Sequence, residues 1–389
     1  MEALLWFLLP VAAVFGWFSA KLGNRPPRDE PVGGGLKADY FRGIDYLLNE
    51  QQDKALDVFI RVLEVDAATA ETHLALGNLY RRRGEVDRAI RIHQNLIARS
   101  ELEEAKRREA LLELGHDYLS AGLLDRAEDL FRELVDSRQY VVQALRQLID
   151  IYEQEKDWRK AIQAALELEQ ETGTSLSLVI SNYWCELAAR ARSDGDLNNA
   201  AEHTEMALRT DPGCVRASLL RGAILLEQGE PKQAMRALKG VERQDAEYLP
   251  ETIEPLRRAA DAADDQDGLL EFLTRIVAEH GGISATLALA ELTEQALGRP
   301  EAAEFMEEQL RKRPSVRGFD RLLELQTDEG GAEQRAYAYT LKTLTTQLLA
   351  DRPVYKCKHC GFPARSLHWQ CPGCKHWNTV KPIQGVEGE

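Results

Sequence analysis

Residues 75–90 read ALGNLYRRRGEVDRAI and residues 113–128 read ELGHDYLSAGLLDRAE. Both stretches carry a Gly (Gly77, Gly115), an aromatic three positions later (Tyr80, Tyr118), a second Gly (Gly84, Gly122) and then a small residue (Ala89, Ala127). Apolar residues recur at helical spacing up to the second Gly, stop there, and resume. Each stretch therefore predicts a helix, a turn and a second helix that crosses the first closely at its Ala. A helical pair of this size leaves one apolar face bare, which only a neighbouring copy can cover.

Working outward, the four landmarks sit at positions 8, 11, 15 and 20 of a 34-residue tetratricopeptide unit. An earlier unit supplies Gly43, Tyr46, Ala55 and Phe59, the last at position 24. The unit with Gly115, Tyr118, Gly122, Ala127 and Phe131 is displaced by an insertion in the charged stretch Ser100 to Arg108. A fourth unit has Tyr152 and Ala161; a fifth has Trp184, Leu187, Gly195, Ala200 and Pro212; a sixth has Gly222, Leu225, Gly229 and Ala234. Beyond these the pattern decays, with Glu251 to Ala278 as a degenerate seventh unit and Ala290, Ala302 and Pro314 marking an eighth. The expected fold over 38–350 is an all-α superhelical solenoid of six clear units and about two degenerate ones. Projecting the inner positions of the first helices, as such repeats do, places Asn78, Arg81, Arg82, His116, Arg146, Asp150, Asn182 and Arg192 along a candidate partner-binding groove. The plainer reading of each is solvated surface.

Ahead of the repeats, Ala3 to Ala20 (ALLWFLLPVAAVFGWFSA) carries no charge and as a helix rises about 27 Å, close to the thickness of a bilayer core. Trp6 and Trp17 lie near its two ends, where indoles favour the interface, and Pro10 is tolerable in a membrane helix. Only Glu2 precedes the run, whereas Lys21, Arg25 and Arg28 follow it. A cleaved signal wants the reverse order, and the positive-inside rule keeps the following body in the cytoplasm. Residues 1–20 are thus expected to be a single transmembrane anchor. Residues 21–37, rich in Pro and Gly, are expected to be a linker.

After a last amphipathic helix near Ala332 to Ala350, Pro353 ends the helical pattern and the chain reads YKCKHCGFPARSLHWQCPGCKHWNTV. Two C-x-x-C pairs ten residues apart can each form a knuckle, and together they close a tetrahedral site of Cys357, Cys360, Cys371 and Cys374 for one metal ion. Gly361 and Gly373 suit the turns of such knuckles. Four thiolates leave no position for water or substrate, so the site is expected to be structural, and metal bonds would hold together a module too small for its own core. The nearby His359, His368 and His376 are expected beside the ligands and not among them. Trp369 and Trp377 are either the module's small core or its means of docking on the repeats. The module spans 354–381, and 382–389 follows as a tail.

The whole chain has 389 residues, 44% hydrophobic and 29% charged, with a net charge of −15. That composition supports a packed helical body and argues against a general nucleic-acid binder, which would present a basic face. A basic, aromatic patch does exist in 354–381, but its footprint is small beside an acidic body. Six cysteines are too few for a disulfide framework, and Cys185 and Cys214 read as small core residues. No zinc-protease, phosphate-loop, dinucleotide or nucleophile-elbow motif is present, so a non-enzymatic binding protein is expected.

Anchor, repeats and a terminal C-x-x-C-G-F…C-P-G-C, in that order over nearly the whole chain, resemble the lipopolysaccharide assembly protein B family of Gram-negative inner membranes. The resemblance implies a rubredoxin-like ribbon whose metal ligands map onto Cys357, Cys360, Cys371 and Cys374. It implies an adaptor in the inner membrane, with its N-terminus in the periplasm and its body in the cytoplasm. There it would help an FtsH-type membrane protease degrade the deacetylase at the committed step of lipid A synthesis, alongside other lipopolysaccharide assembly proteins. Lys375 stands where rubredoxin-type knuckles often continue with Gly, and the gap between pairs is short; both favour zinc over iron. The alternatives are a rubredoxin-like iron electron carrier and a general envelope-assembly scaffold; a second copy of the chain, as a homodimer, is a further candidate partner.

Overall fold

A computed structural model describes residues 35–49, 51, 54–56, 58–60, 70–326, 332–350 and 352–389. The expected anchor, residues 1–20, and most of the expected linker lie outside the described residues. Residues 35–37, at the end of that linker, belong to the first helix. Among the described residues no helix is long and apolar enough to cross a membrane. The chain divides into two compact units, 1–144 and 145–389.

The first unit contains α1 (Gly35–Leu48), α2 (Ala70–Arg82), α3 (Val86–Ile97), α4 (Glu104–Ser120) and α5 (Leu124–Asp136), and the division falls within α6 (Val141–Glu155). The insertion expected near 100–108 appears as a longer α4, 17 residues against 13 in α2. Every clear hairpin from the second onward turns by one device. The N–H at position 16 donates to the carbonyl at position 11, as in Glu85 to Tyr80 (2.9 Å), Leu123 to Tyr118 (2.8 Å) and Glu230 to Leu225 (2.8 Å). Closing that bond puts position 15 in the left-handed region, where Gly84, Gly122, Gly195 and Gly229 have φ of 79°, 73°, 82° and 77°. In the fourth unit Lys156 takes the same conformation, φ 57°, despite its Cβ.

Position 8 is Gly for a different reason. The side chain at position 24 of the second helix lies on it, so an added Cβ would meet Phe59 at 2.8 Å from Gly43 and Phe131 at 2.7 Å from Gly115. At Gly77 the covering residue is His93, at 2.3 Å. His93 is fully buried and bonded through Nδ1 to Asp117 Oδ2 at 2.6 Å. Asp117, equally buried, accepts from Arg81 Nη1 at 2.7 Å, and Arg81 Nη2 donates to Glu113 at 2.6 Å. A polar chain therefore replaces the phenylalanine packing of the flanking repeats. Because that chain holds the imidazole in place, Gly77→Ala should overpack the crossing. The net loss should be about 1–2 kcal/mol, after Ala's helix-propensity gain of about 1 kcal/mol. Gly222→Ala meets Leu238 Cδ2 and Cγ at 2.7 Å, a buried side chain that no hydrogen bond holds in place, and should lose less. Urea unfolding of both variants checks the order, and equal losses would count against the His93 explanation.

The second unit continues with α7 (Trp158–Thr172), α8 (Ser177–Ser193), α9 (Leu197–Thr210), α10 (Val215–Glu227), α11 (Pro231–Lys239), the short α12 (Val241–Gln244) and a 3-10 turn, Ala246–Tyr248. Residues expected as degenerate repeats form two further hairpins, α13 (Leu249–Ala263) with α14 (Gln266–Glu279), and α15 (Ile283–Leu297) with α16 (Arg299–Lys312). They share a core built on Leu256, Leu273, Ile276 and Leu289. Then come α17 (Val316–Gln326) and α18 (Ala332–Ala350).

A small antiparallel sheet ends the unit, with β1 (Tyr355–Cys357) between β2 (Pro363–Ala364) and β3 (Val380–Pro382). Tyr355 pairs with both Ala364 and Pro382, and Cys357 pairs with Val380. The module thus runs one residue past the boundary expected at 381. The residues expected as a tail are pinned: the Glu389 carboxylate accepts from the backbone N–H of Ser284 (3.0 Å) and from Arg317 Nη1 (2.6 Å).

Candidate metal centre

The first knuckle begins in β1, where Cys357 is delivered by the sheet, and turns at Gly361, φ 80°, whose N–H donates to the Cys357 carbonyl at 2.9 Å. The second repeats it: Lys375 N–H donates to the Cys371 carbonyl at 2.8 Å. Here the left-handed residue is Lys375, φ 60°, and not the expected Gly373. Gly373 is outside that region, and a Cβ there would meet the Cys360 sulfur at 3.5 Å, an ordinary contact. The sequence places Gly373 between the ligands, but the strained position lies just after the second of them.

The knuckles bring four sulfurs together, with Cys357 Sγ 3.8 Å from Cys374 Sγ and Cys360 Sγ 3.6 Å from Cys371 Sγ. Sulfurs bonded to one tetrahedral ion at about 2.3 Å stand about 3.8 Å apart, so the donor set fits one metal ion of the zinc size class. Burial works against charge at the Cys357 thiol. The Thr379 hydroxyl at 3.3 Å and the Cys360 N–H at 3.4 Å outweigh it and bring the thiol down to about 5. At Cys360 the Phe362 N–H pulls down, but lost solvation and the neighbouring sulfurs win, pushing the thiol up to about 12. The cluster thus favours a thiolate at Cys357 and opposes another at Cys360. A cation removes that opposition.

Exposure is uneven. Cys357 and Cys371 are 1% and 0% exposed, Cys374 is half-buried and Cys360 is exposed. The inner sulfurs face a sheet packed on the repeats, and both tryptophans of the ribbon take part in that packing. Trp377 meets Trp158 and Tyr183 edge-on at 6.5 and 5.9 Å, and Trp369 lies 5.3 Å from Tyr248. The Arg216 guanidinium stands over both indoles, 6.0 Å from Trp369 and 5.8 Å from Trp377, and donates to Glu186 at 2.8 Å. Glu153 accepts from Tyr183 (2.6 Å), Gln370 (3.0 Å) and Trp377 Nε1 (3.2 Å). Burial, helped by the Glu153 charge, raises the Tyr183 phenol and keeps it a donor. On the other flank the buried Tyr248 hydroxyl donates to the Val380 carbonyl at 3.1 Å, and Lys381 sits 4.2 Å from its ring.

Of the eight residues projected onto a groove, Arg82, Arg146 and Asp150 are exposed. Asn78 lines a cleft with Tyr40, Ile44, Leu47 and Arg82, and His116 is half-buried against Phe131 at 5.6 Å. Arg192 pairs with Glu227 at 2.6 Å. Arg81 is spent on the buried network with Asp117, and Asn182 is buried with its amide donating to the Leu178 carbonyl at 2.8 Å. The projection missed Glu153, Arg216 and Tyr248, on which the ribbon rests. Cys185 and Cys214 are buried with their sulfurs 3.8 Å apart.

Known proteins agree with this architecture. Residues 355–382 match a rubredoxin metal binding domain, and 72–107, 112–175 and 191–251 match tetratricopeptide repeat models. Lipopolysaccharide assembly protein B of Escherichia coli strain K12 is 37% identical over 391 residues, covering 100% of both chains. The protein of that description from Haemophilus influenzae is 32% identical over 397 residues, again covering 100% of both chains. A solenoid of tetratricopeptide hairpins closed by a four-cysteine ribbon, matched end to end at this identity, belongs to the lipopolysaccharide assembly protein B family.

Proposed function

We propose that the chain is a non-enzymatic adaptor tethered to the inner membrane, which limits lipopolysaccharide synthesis by presenting the committed-step lipid A deacetylase to an FtsH-type protease. The observation that carries this reading is the end-to-end match to a family named for lipopolysaccharide assembly, on a body made of partner-binding repeats. The sulfur site supports a structural metal, because its four donors close the coordination shell and leave no position for a substrate. Zinc suits it better than iron, since Lys375 replaces the Gly common in electron-transfer knuckles. The uncharged run at 3–20 followed by Lys21, Arg25 and Arg28 supports an anchor with the body on the cytoplasmic side.

Deleting residues 1–20 tests the tether. The shortened protein should be soluble, with unchanged helical circular dichroism and one metal ion per chain, while cells that depend on it accumulate the deacetylase. Normal deacetylase levels with that variant would remove the anchor from the mechanism. Accumulation that full-length protein fails to reverse would remove the deacetylase from it.

A further inference from the structure

We propose that His359 and His376, together with the Cys374 sulfur, form a second cation site on the outer edge of the four-cysteine centre, taking a borderline divalent ion of the zinc class. One donor atom from each of the three lies within 4.8 Å of the others. His376 Nδ1 is 2.9 Å from the Cys374 carbonyl oxygen. That contact makes Nδ1 the donor and leaves Nε2 with its lone pair outward, the arrangement by which a backbone carbonyl orients a metal-binding imidazole. His359 stacks on His376 with ring centroids 3.9 Å apart and planes at 21°. His376 keeps its carbonyl contact, and the exposed His359 ring turns about its side-chain bonds to bring a nitrogen to the same ion.

The charge at this edge favours a second cation. Four thiolates around one divalent ion carry a net double negative charge, and the outward sulfurs are those of Cys360 and Cys374. A thiolate bound to one ion keeps lone pairs with which to bridge to another. Lys358, the cation next to His359 on the first knuckle, is paired with Glu247 at 3.1 Å. Among the described residues a further cluster, Glu242 with Glu279 and His280, is already held by a cation. Arg275 holds both Glu242 oxygens at 2.6 and 2.7 Å and Glu279 at 3.2 Å.

The test is equilibrium dialysis of the full chain, carrying one zinc ion, against micromolar zinc, with metal counted per chain. Two ions are expected for the natural sequence and for His280→Ala. One is expected for His359→Ala/His376→Ala, whose second-site affinity should fall at least about tenfold. With zinc held in the four-cysteine centre, which cobalt does not displace, added cobalt should show the visible bands of a nitrogen- and sulfur-bound ion in the natural sequence and not in the double variant. A natural chain that stops at one ion, a double variant that keeps two, or a zinc-loaded natural chain that gives no bound-cobalt bands overturns the proposal.

Discussion

Cys357→Ser/Cys360→Ser empties the ribbon of metal and unfolds it while leaving the helices standing. Residues 355–382 hold only three short strands and a few buried side chains, Cys357, Cys371 and Val380 among them, so the module has almost no core of its own. Binding of a structural zinc ion supplies about 10–16 kcal/mol in modules of this kind, and without it they do not fold. Metal content should drop from one ion per chain to none. Trp369 and Trp377 should move to longer emission wavelength, and helical circular dichroism should stay close to that of the natural chain. Acid should mimic the variant, with a sign set by the sulfurs. In the metal-free centre the Cys360 thiol is pushed up to about 12, so metal binding must expel its proton, and affinity falls as pH falls. A variant that retains its ion would refute the assignment of Cys357 and Cys360 as ligands.

The repeats were legible because their landmark residues answer local steric demands. A Gly must stand where position 24 covers position 8, and another where the turn adopts positive φ. The four-cysteine cluster was legible because a metal site would fix both residue type and spacing. Where the structure goes beyond the sequence, the cause is a partner distant along the chain. His93 stands where Phe59 and Phe131 stand in the flanking units, and that single departure was the available sign of a buried polar network. Its partner Asp117 lies 24 residues away on another hairpin. Arg81 and Asn182 fell on groove positions by counting, yet counting does not reveal that one answers Asp117 and the other its own helix. Trp369 and Trp377 could be read as core or as dock, because the residues that decide between them are remote: Glu153 is 217 residues from Gln370 and 224 from Trp377.

That dock makes the second prediction. Trp377→Ala removes an indole that touches Trp158, Tyr183 and Arg216 and donates to Glu153, all on the repeats. Truncating a buried Trp costs about 3–5 kcal/mol, which at about 1.4 kcal/mol per tenfold shifts the docked fraction by at least about a hundredfold. The knuckles themselves are bound through backbone carbonyls and sulfurs that the indole does not supply, so the metal should stay, at one ion per chain. Hydrogen exchange should then quicken in β1 and β3 and around Tyr183 and Tyr248 while zinc content holds, a combination the cysteine variant cannot produce. If exchange at Tyr248 stays as slow as in the natural chain, the ribbon is held by the Tyr248 flank alone, through the Val380 carbonyl and Lys381, and Trp377 is merely a core residue of the ribbon. If it quickens, the metal's contribution to the solenoid runs through the two indoles. Loss of zinc then exposes on the repeats an aromatic surface of Trp158, Tyr183 and Tyr248, with Arg216 and Glu153 left to find other partners.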